Sequence, residues 1–310
     1  MSEREPAVDR DRQEGLLALA AALRPELHRY CARLMGSVID GEDVVQDTFA
    51  RAFVALDELC EVPQLRPWLF RIAHNRALDL LRSRAIRVAE PIEAALEIAD
   101  TKADPVETLM RRQAVQTAVS RFAELPVLQR SVIILKDVLD EPLTEIAALL
   151  DITVDAVKGH LARGRARLRQ INATAAALPD ARIASAAVVC YATLFNQRDW
   201  DGLRALLADD VRLHQSLHPP RSGAADVGMF FTIYARSDRV WLTPAWLEGR
   251  EVIAVFENQT DPKPHHFMRL EWREGRISFI CDYRYVSYIA EDAELVLARD
   301  AGSFGRGTGR

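Results

Sequence analysis

Several features are scarce or missing in this 310-residue sequence, and each absence excludes a class of protein. It has only four cysteines, widely separated and without a CxxC pair: Cys31, Cys60, Cys190 and Cys281. This spacing excludes a zinc ribbon and offers no disulfide framework, so we expect small buried thiols in a reducing cytoplasm. No stretch is apolar for long enough to span a bilayer, and the polar N-terminus lacks the apolar segment of a signal peptide. We therefore expect a cytoplasmic protein with no membrane partner.

The motifs of nucleotide and metal chemistry are also missing. There is no Walker A loop, no glycine-rich dinucleotide fingerprint and no cluster with metal-ligand spacing, so no cofactor is expected. The formal net charge of −5 excludes a chain that coats nucleic acid over its whole surface. Any nucleic-acid site must be a local basic patch. The length predicts two or three domains.

The clearest pattern lies in residues 142–169, where two short helices are joined by a tight turn. Apolar residues recur at helical spacing from Leu143 to Leu150, and Thr153 is a good N-cap for the second helix. This second helix is basic on its outer surface, and the small Gly164 lies on its apolar side. The pattern predicts a helix-turn-helix whose second helix enters the major groove of DNA. A cationic helix that is merely solvated is the alternative.

Upstream, one helix is expected to end at Gly36 and a second to start after Asp40 as its N-cap. The predicted buried face of the second helix comprises Val44, Val45, Thr48, Phe49, Ala52, Phe53 and Leu56. Three polar residues lie off this face and leave a small acidic surface: Asp43, Gln46 and Asp47.

A third helix opens at Pro67 and has one polar face. At 100° per residue this face holds Trp68, Arg71, Asn75, Asp79 and Arg82. Bases stack on aromatic rings and guanidinium groups, while cations follow phosphates, so the face suits single-stranded nucleic acid. The alternative is that Trp68 covers the core and the arginines are solvated.

The region after about residue 182 has a different character. A helical run from Ile183 to Asn196 continues into a helical segment that reaches Asp209 and Asp210. Strands are then predicted at Arg239–Leu242, Glu251–Glu257, His266–Trp272 and Arg276–Tyr285, with turns at Glu248-Gly249 and Glu274-Gly275. Helices followed by a meander of strands indicate an α+β domain.

Residues 20–170 resemble the extracytoplasmic-function (ECF) group of the sigma-70 family. The resemblance is carried by DGEDVVQDTFARAF, LRPWLFRIAHNRALDLLR and the run from ELPVLQRSVIILKDVLD to TVDAVKGHLARGRARLR. It implies a non-enzymatic subunit whose partners are core RNA polymerase and promoter DNA, and an anti-sigma factor is a further candidate partner. It also implies roles for named residues: core-polymerase binding by Asp43, Gln46 and Asp47; −10 binding by Trp68, Arg71, Asn75, Arg76 and Arg82; −35 binding by Thr153, Asp155, Lys158, His160, Arg163 and Arg165.

Two departures from the family pattern affect the −35 sequence preference. Gly159 and His160 stand where many members have Ser-Arg, and Glu141-Pro142 replace a glycine and an aromatic residue. Neither departure affects the expected DNA-binding role.

The C-terminal part is similar to SnoaL-like domains, in which a curved sheet and helices form a cone around a pocket. Candidate pocket residues are Tyr191, His214, Trp241 and Tyr283, and a small-molecule ligand is a candidate partner. Such side chains inside a cone are often core residues instead. The predicted fold is therefore multidomain, with two all-α modules followed by an α+β cone.

The expected division of the chain is a disordered leader at 1–14, sigma region 2 at 15–87, an acidic linker at 88–106, sigma region 4 at 107–172, a spacer at 173–181, the SnoaL-like domain at 182–295 and a flexible tail at 296–310. Because the spacer is short, we expect the C-terminal domain to regulate the sigma modules in cis.

Two other functions compete with this interpretation. A helix-turn-helix regulator with a ligand-binding C-terminal domain would bind duplex DNA without polymerase. An isomerase or cyclase would need a general base in the cone, for which Asp209, Asp210 and His214 are the nearest candidates.

Overall fold

The computed structural model describes residues 22–58, 64–88, 114–115, 117–174, 183–237 and 239–298. The chain divides into two compact units, Met1–Ala176 and Ala177–Arg310. The leader and most of the acidic linker, the spacer and the tail lie outside the described residues. None of the described helices is both long enough and apolar enough to cross a membrane.

The first unit begins with three helices, α1 (residues 22–35), α2 (Val38–Glu58) and α3 (Leu65–Val88). Helix α1 ends at Gly36, as predicted, because Gly36 has φ 71°. The predicted N-cap of α2 is wrong. Ser37 caps the helix, since its hydroxyl accepts the N–H of Asp40 at 3.1 Å, and Asp40 lies inside the first turn.

The second half of this unit contains the predicted helix-turn-helix. A 3-10 helix (Val119–Glu124) precedes α4 (Val127–Ile133), which continues as a π-helix (Ile134–Val138). The motif itself is α5 (Leu143–Leu150) and α6 (Val154–Ala173). Asp151 turns the chain between them with φ 55°, and the Thr153 hydroxyl accepts the N–H of Ala156 at 3.1 Å. The predicted cap is confirmed.

A single hydrophobic core runs through the first unit. It combines residues of α1–α3, such as Tyr30 and Phe70, with residues of α4–α6, such as Ile133 and Leu161. Gly164 allows the close approach of α6 to α4, because a Cβ there would lie 2.6 Å from Cδ1 of Ile133. The two predicted sigma modules therefore pack as one body.

The second unit is an α+β domain, as predicted. Its helices are α7 (Ala186–Asn196), α8 (Trp200–Ala205), α9 (Ala224–Gly228) and α10 (Phe230–Ala235). Its strands are β1 (Leu207–Gln215), β2 (Arg221–Ser222), β3 (Trp241–Leu247), β4 (Arg250–Phe256), β5 (His266–Arg273), β6 (Arg276–Asp282) and β7 (Leu295–Leu297). They form one sheet in the order β2-β1-β6-β5-β4-β3-β7, in which only the β1–β6 pair is parallel among the described strands.

Both predicted hairpin turns are confirmed. Glu248 and Gly249 have φ 53° and 76°, and Glu274 and Gly275 have φ 52° and 77°. Positive φ at both central residues matches the right-handed twist of the flanking strands. Register shifts in β1 and β5 mark local irregularities, which bend strands. Helix α7 packs against β3. The Asn196 side-chain amide donates to the carbonyl of Leu242 and accepts from its N–H, both at 2.9 Å.

Several local predictions are wrong. Phe53 is 41% exposed although the pattern assigned it to the buried face of α2, and Cys190 is exposed although buried thiols were expected. Asp209 and Asp210 lie in β1, because helix α8 already ends at Ala205. The strand expected to reach Tyr285 ends at Asp282.

Candidate nucleic-acid interface

The surface of α2 presents the predicted core-binding residues together. Asp43 is exposed, and Gln46 and Asp47 are half-buried. Asp47 also pairs with Arg76 of α3, whose Nε lies 2.7 Å from Oδ2. A residue predicted to bind polymerase and one predicted to bind the −10 element are therefore partners, and this pair fixes α2 against α3.

The polar face of α3 is partly covered by the protein itself. Trp68 packs against the hydrophobic core, as the alternative interpretation expected, although it remains half-buried. Arg71 donates to the carbonyl of Ala148 in α5 at 3.2 Å, while Asn75 is exposed. Arg82 pairs with Asp79 at 3.4 Å. The predicted polar face of α3 is present, but Arg71 and Arg82 on it already contact other residues of the protein.

Arg66 at the start of α3 was not recognised from the sequence. Its guanidinium contacts both Glu26 and Glu141 and stacks on the Phe70 ring, 5.0 Å from the centroid. It therefore ties α1 and α3 to the turn before α5. No local sequence pattern could predict this role, because the Glu26 and Glu141 carboxylates lie 40 and 75 residues away from Arg66.

Below the same helix, a buried histidine is held in its neutral form. The Tyr30 hydroxyl forms a hydrogen bond with Nδ1 of His74 at 2.8 Å. Burial, with a smaller repulsion from Arg82, lowers the pKa of His74 to about 4. Burial also raises the pKa of Tyr30, so the hydroxyl keeps its proton.

Helix α6 presents its cations differently. Lys158 is 60% exposed and pairs only loosely with the exposed Asp155 at 3.0 Å. His160 lies 3.3 Å from Arg163, and burial together with that cation lowers its pKa. Arg167 and Arg169, further along the helix, are exposed.

Arg165 is the exception among the predicted −35 residues. Its Nε lies 2.9 Å from Oδ2 of Asp137 in the π-helix, and the two side chains are 14% and 1% exposed. In this arrangement Arg165 anchors α6 to the preceding helix. The sequence showed Arg165 on the basic surface, but it gave no sign that Asp137 would be buried beneath it.

The four predicted pocket residues of the second unit do not share one cavity. Trp241 lines a cavity of about 360 Å³ between α7 and β3, whose wall includes none of the other three. Tyr191 and Tyr283 are almost fully buried, and His214 is half-buried in β1.

A buried polar cluster in this unit was missed entirely. Three donors form hydrogen bonds with the Asp282 carboxylate, which is 0% exposed: the Gln215 amide, the Tyr234 hydroxyl and the Arg284 backbone N–H. Nε2 of His266 also lies 3.1 Å from its Oδ1. The residues come from β1, α10, β5 and the end of β6. Because they are distant in sequence, no spacing rule could have found them.

Comparison with known proteins decides the family. Residues 19–86 match sigma-70 region 2, and residues 114–168 match sigma-70 region 4. The ECF RNA polymerase sigma factor SigM of Mycobacterium tuberculosis is 32% identical over 146 residues, 47% of this chain and 71% of SigM. This chain belongs to the ECF sigma factors. SigG of the same organism, also an ECF RNA polymerase sigma factor, is 32% identical over 235 residues, 68% of this chain, and the chain spans 63% of the length of SigG.

The family membership confirms the resemblance found in the sequence of the first unit. The second unit is similar to a putative ketosteroid isomerase from Kribbella flavida, with 27% identity over 32% of this chain and 74% of that chain. The TM-score of 0.26 is too low for this likeness to carry an argument. The α+β architecture of the second unit is instead evident from its own strands and helices.

Proposed function

We propose that this ECF sigma factor binds core RNA polymerase and initiates transcription at promoters with −10 and −35 elements. The observation that carries the proposal is the match of both sigma-70 regions to one chain in the family order. A helix-turn-helix regulator would have no use for region 2, so that alternative is the weaker one.

The docking surface for polymerase would be the acidic side of α2. Asp43 is its most exposed member, and Gln46 lies one turn further on the same side. Asp47 would contribute less directly, because it already holds Arg76 at 2.6 Å. We therefore assign the main role to Asp43 and Gln46.

Promoter recognition would be divided between two helices. Thr153 starts α6, and the exposed Lys158 and the neighbouring Arg163 would reach base edges or phosphates of the −35 element in the major groove. On α3, the half-buried Trp68 ring and the exposed Asn75 would receive unstacked bases of the −10 element. Arg71, Arg76 and Arg82 would take part after leaving their protein partners.

The experiment is a polymerase-binding assay with Asp43→Lys. Reversal of this exposed charge should weaken binding to core polymerase by about tenfold or more and reduce run-off transcription in parallel. Asp201→Lys is the matched control, because Asp201 lies in the second unit with a 97% exposed side chain and a local partner only. Equal binding by the parent and Asp43→Lys would remove α2 from the docking surface.

We further propose that the chain is not an enzyme. Asp282, the carboxylate best placed for general-base chemistry inside the second unit, is enclosed and already accepts three hydrogen bonds. Asp209 and Asp210 are exposed, and Asp210 pairs with Arg273.

The proposed function also implies a cytoplasmic protein, because polymerase and the genome share that compartment. An anti-sigma factor is a further candidate partner.

The second unit would regulate the sigma unit in cis. The division of the chain near Ala176 gives a natural point at which to remove the second unit and test this proposal. A chain truncated there should differ several-fold from the full chain in run-off transcription at the same promoter. Equal activity of the two proteins would mean that the second unit does not regulate transcription.

A further inference from the structure

A small cavity of the second unit has an unusual lining. Its wall is formed by Tyr234 of α10, Glu257 after β4, His265 and His266 at the start of β5, and Arg284 after β6, together with Val240, Val255 and Phe256. It offers about 50 Å³ to water-sized molecules. A site needs only about 10–15 Å³ on such a measure to admit one water, so this cavity takes a group of a few heavy atoms.

The inner wall is fixed by hydrogen bonds. Nε2 of His266 lies 3.1 Å from Oδ1 of the buried Asp282, and the Tyr234 hydroxyl lies 3.2 Å from the other carboxylate oxygen. Nε2 of His266 also forms a hydrogen bond with the Tyr234 hydroxyl at 3.2 Å, and its Nδ1 lies 2.9 Å from Nδ1 of His265. These contacts hold both rings in place, and His265 presents Nε2 towards Glu257 at 3.5 Å.

Arg284 is the cation of this cavity. Its guanidinium carbon lies 4.9 Å from the centroid of the Tyr234 ring, which holds the side chain in place from one side. Within the described part of the chain, no carboxylate forms an ion pair with Arg284. The Asp282 carboxylate beneath Arg284 already accepts hydrogen bonds from other residues, such as the Gln215 amide. The Glu257 carboxylate faces His265 instead of Arg284.

We propose that this cavity binds the carboxylate group of a small organic acid, with Arg284 as its counter-ion. A guanidinium presents its N–H groups in a planar fork that matches a carboxylate and forms two parallel hydrogen bonds with it. The limited volume admits the head group, while the remainder of the ligand extends through the open mouth. The contacts among Asp282, His266 and His265 hold this wall of the cavity in one arrangement.

This cavity is distinct from the nucleic-acid interface of the first unit and from the pocket predicted from the sequence of the second unit. It shares no residue with the predicted pocket set of Tyr191, His214, Trp241 and Tyr283, and it does not depend on polymerase or promoter binding. It would give the second unit a ligand of defined chemical class.

The test is a titration of the full chain with sodium acetate, with sodium chloride at equal ionic strength as the reference. Binding is followed through the ring Cε1–H signals of the histidines, with His265→Gln used to assign His265. We expect a saturable shift of the His265 and His266 signals with acetate only. Arg284→Gln should raise the apparent Kd by about tenfold or more, since charge-assisted hydrogen bonds contribute about 1.5–3 kcal/mol.

Arg269→Gln is the matched control. Arg269 is also a half-buried arginine over an aromatic ring, 5.7 Å from the Phe279 centroid, but it is not part of the cavity wall. It should bind acetate like the parent. If Arg284→Gln does not fold, Arg284→Lys keeps the charge without the planar fork and should still bind more weakly. Equal shifts with acetate and chloride, or an unchanged Kd in the folded Arg284 variant, would overturn the proposal.

Discussion

Helices α3 and α6 are both basic, but they keep their cations in different states. Five arginines of α3, at positions 66, 71, 76, 82 and 84, each contact a carboxylate or carbonyl of the same unit, although Arg71 and Arg82 remain exposed. In α6 the side chains of Lys158, Arg167 and Arg169 are exposed, and Arg165 is the one that forms a nearly buried ion pair.

The difference teaches that a basic helix is not automatically a ready nucleic-acid surface. The cations of α6 are largely solvated, so phosphates can replace water around them with little change in the protein. In α3, Arg71 and Arg76 must first exchange a protein partner for DNA. We infer that α6 can bind duplex DNA in the arrangement seen, whereas α3 acts after contacts such as Arg71–Ala148 have broken.

The largest effect should come from the exception within α6. Arg165→Ala leaves Asp137 buried and unpaired, which typically costs about 3–5 kcal/mol. We expect the urea-unfolding transition of the first unit to shift to a much lower midpoint. Arg167→Ala is the control, because its side chain is exposed and should change stability by less than about 0.5 kcal/mol. Equal midpoints for the two variants would show that Arg165 is a surface cation like its neighbours.

The next largest effect is a pH dependence of stability that comes from the buried His74 of α3. His74 has a pKa of about 4, against an ordinary value of 6.5, so the unfolded chain binds a proton more readily between these two values. Its contribution to stability is therefore complete above pH 6.5 and is lost as the pH falls towards 4. The loss should be roughly 2–3 kcal/mol.

His74→Gln tests this contribution by removing the titrating ring. The free energy of unfolding of the first unit should decrease less between pH 6.5 and 4 in the variant than in the parent. His160→Gln is the comparison variant and should reduce the pH dependence less, because His160 is only half-buried on α6. The same pH dependence in His74→Gln and the parent would contradict the role assigned to the Tyr30–His74 contact.

A smaller effect is expected for Lys158→Ala on α6. This exposed side chain should not affect stability, but promoter binding by the polymerase complex should weaken by about 1–3 kcal/mol if Lys158 contacts a base edge. If it contacts a phosphate, all promoters should weaken equally and the salt dependence should fall by about one unit of slope. Unchanged affinity and slope would exclude Lys158 from the interface.

The helices and turns that underlie this comparison could be predicted from the sequence. The 3.6-residue period and the Thr153 cap predicted the helix-turn-helix, and the two glycine turns predicted the hairpins, because these signals are local. The partners of the arginines were not predictable, since Arg66 and Glu141, or Arg165 and Asp137, meet only after the helices pack. The Asp282 cluster was missed for the same reason, and Phe53 was misplaced because periodicity cannot show how far a neighbouring helix covers a face.

The central claim, that α3 melts promoters while α6 binds the duplex, is tested most directly by permanganate footprinting with Trp68→Ala. The assay uses core polymerase and a promoter, and it reports unpaired thymines, while retention of the duplex is measured in parallel. We predict that thymine reactivity near the −10 element is lost and that duplex binding is retained. Melting by the variant equal to that of the parent would contradict the account.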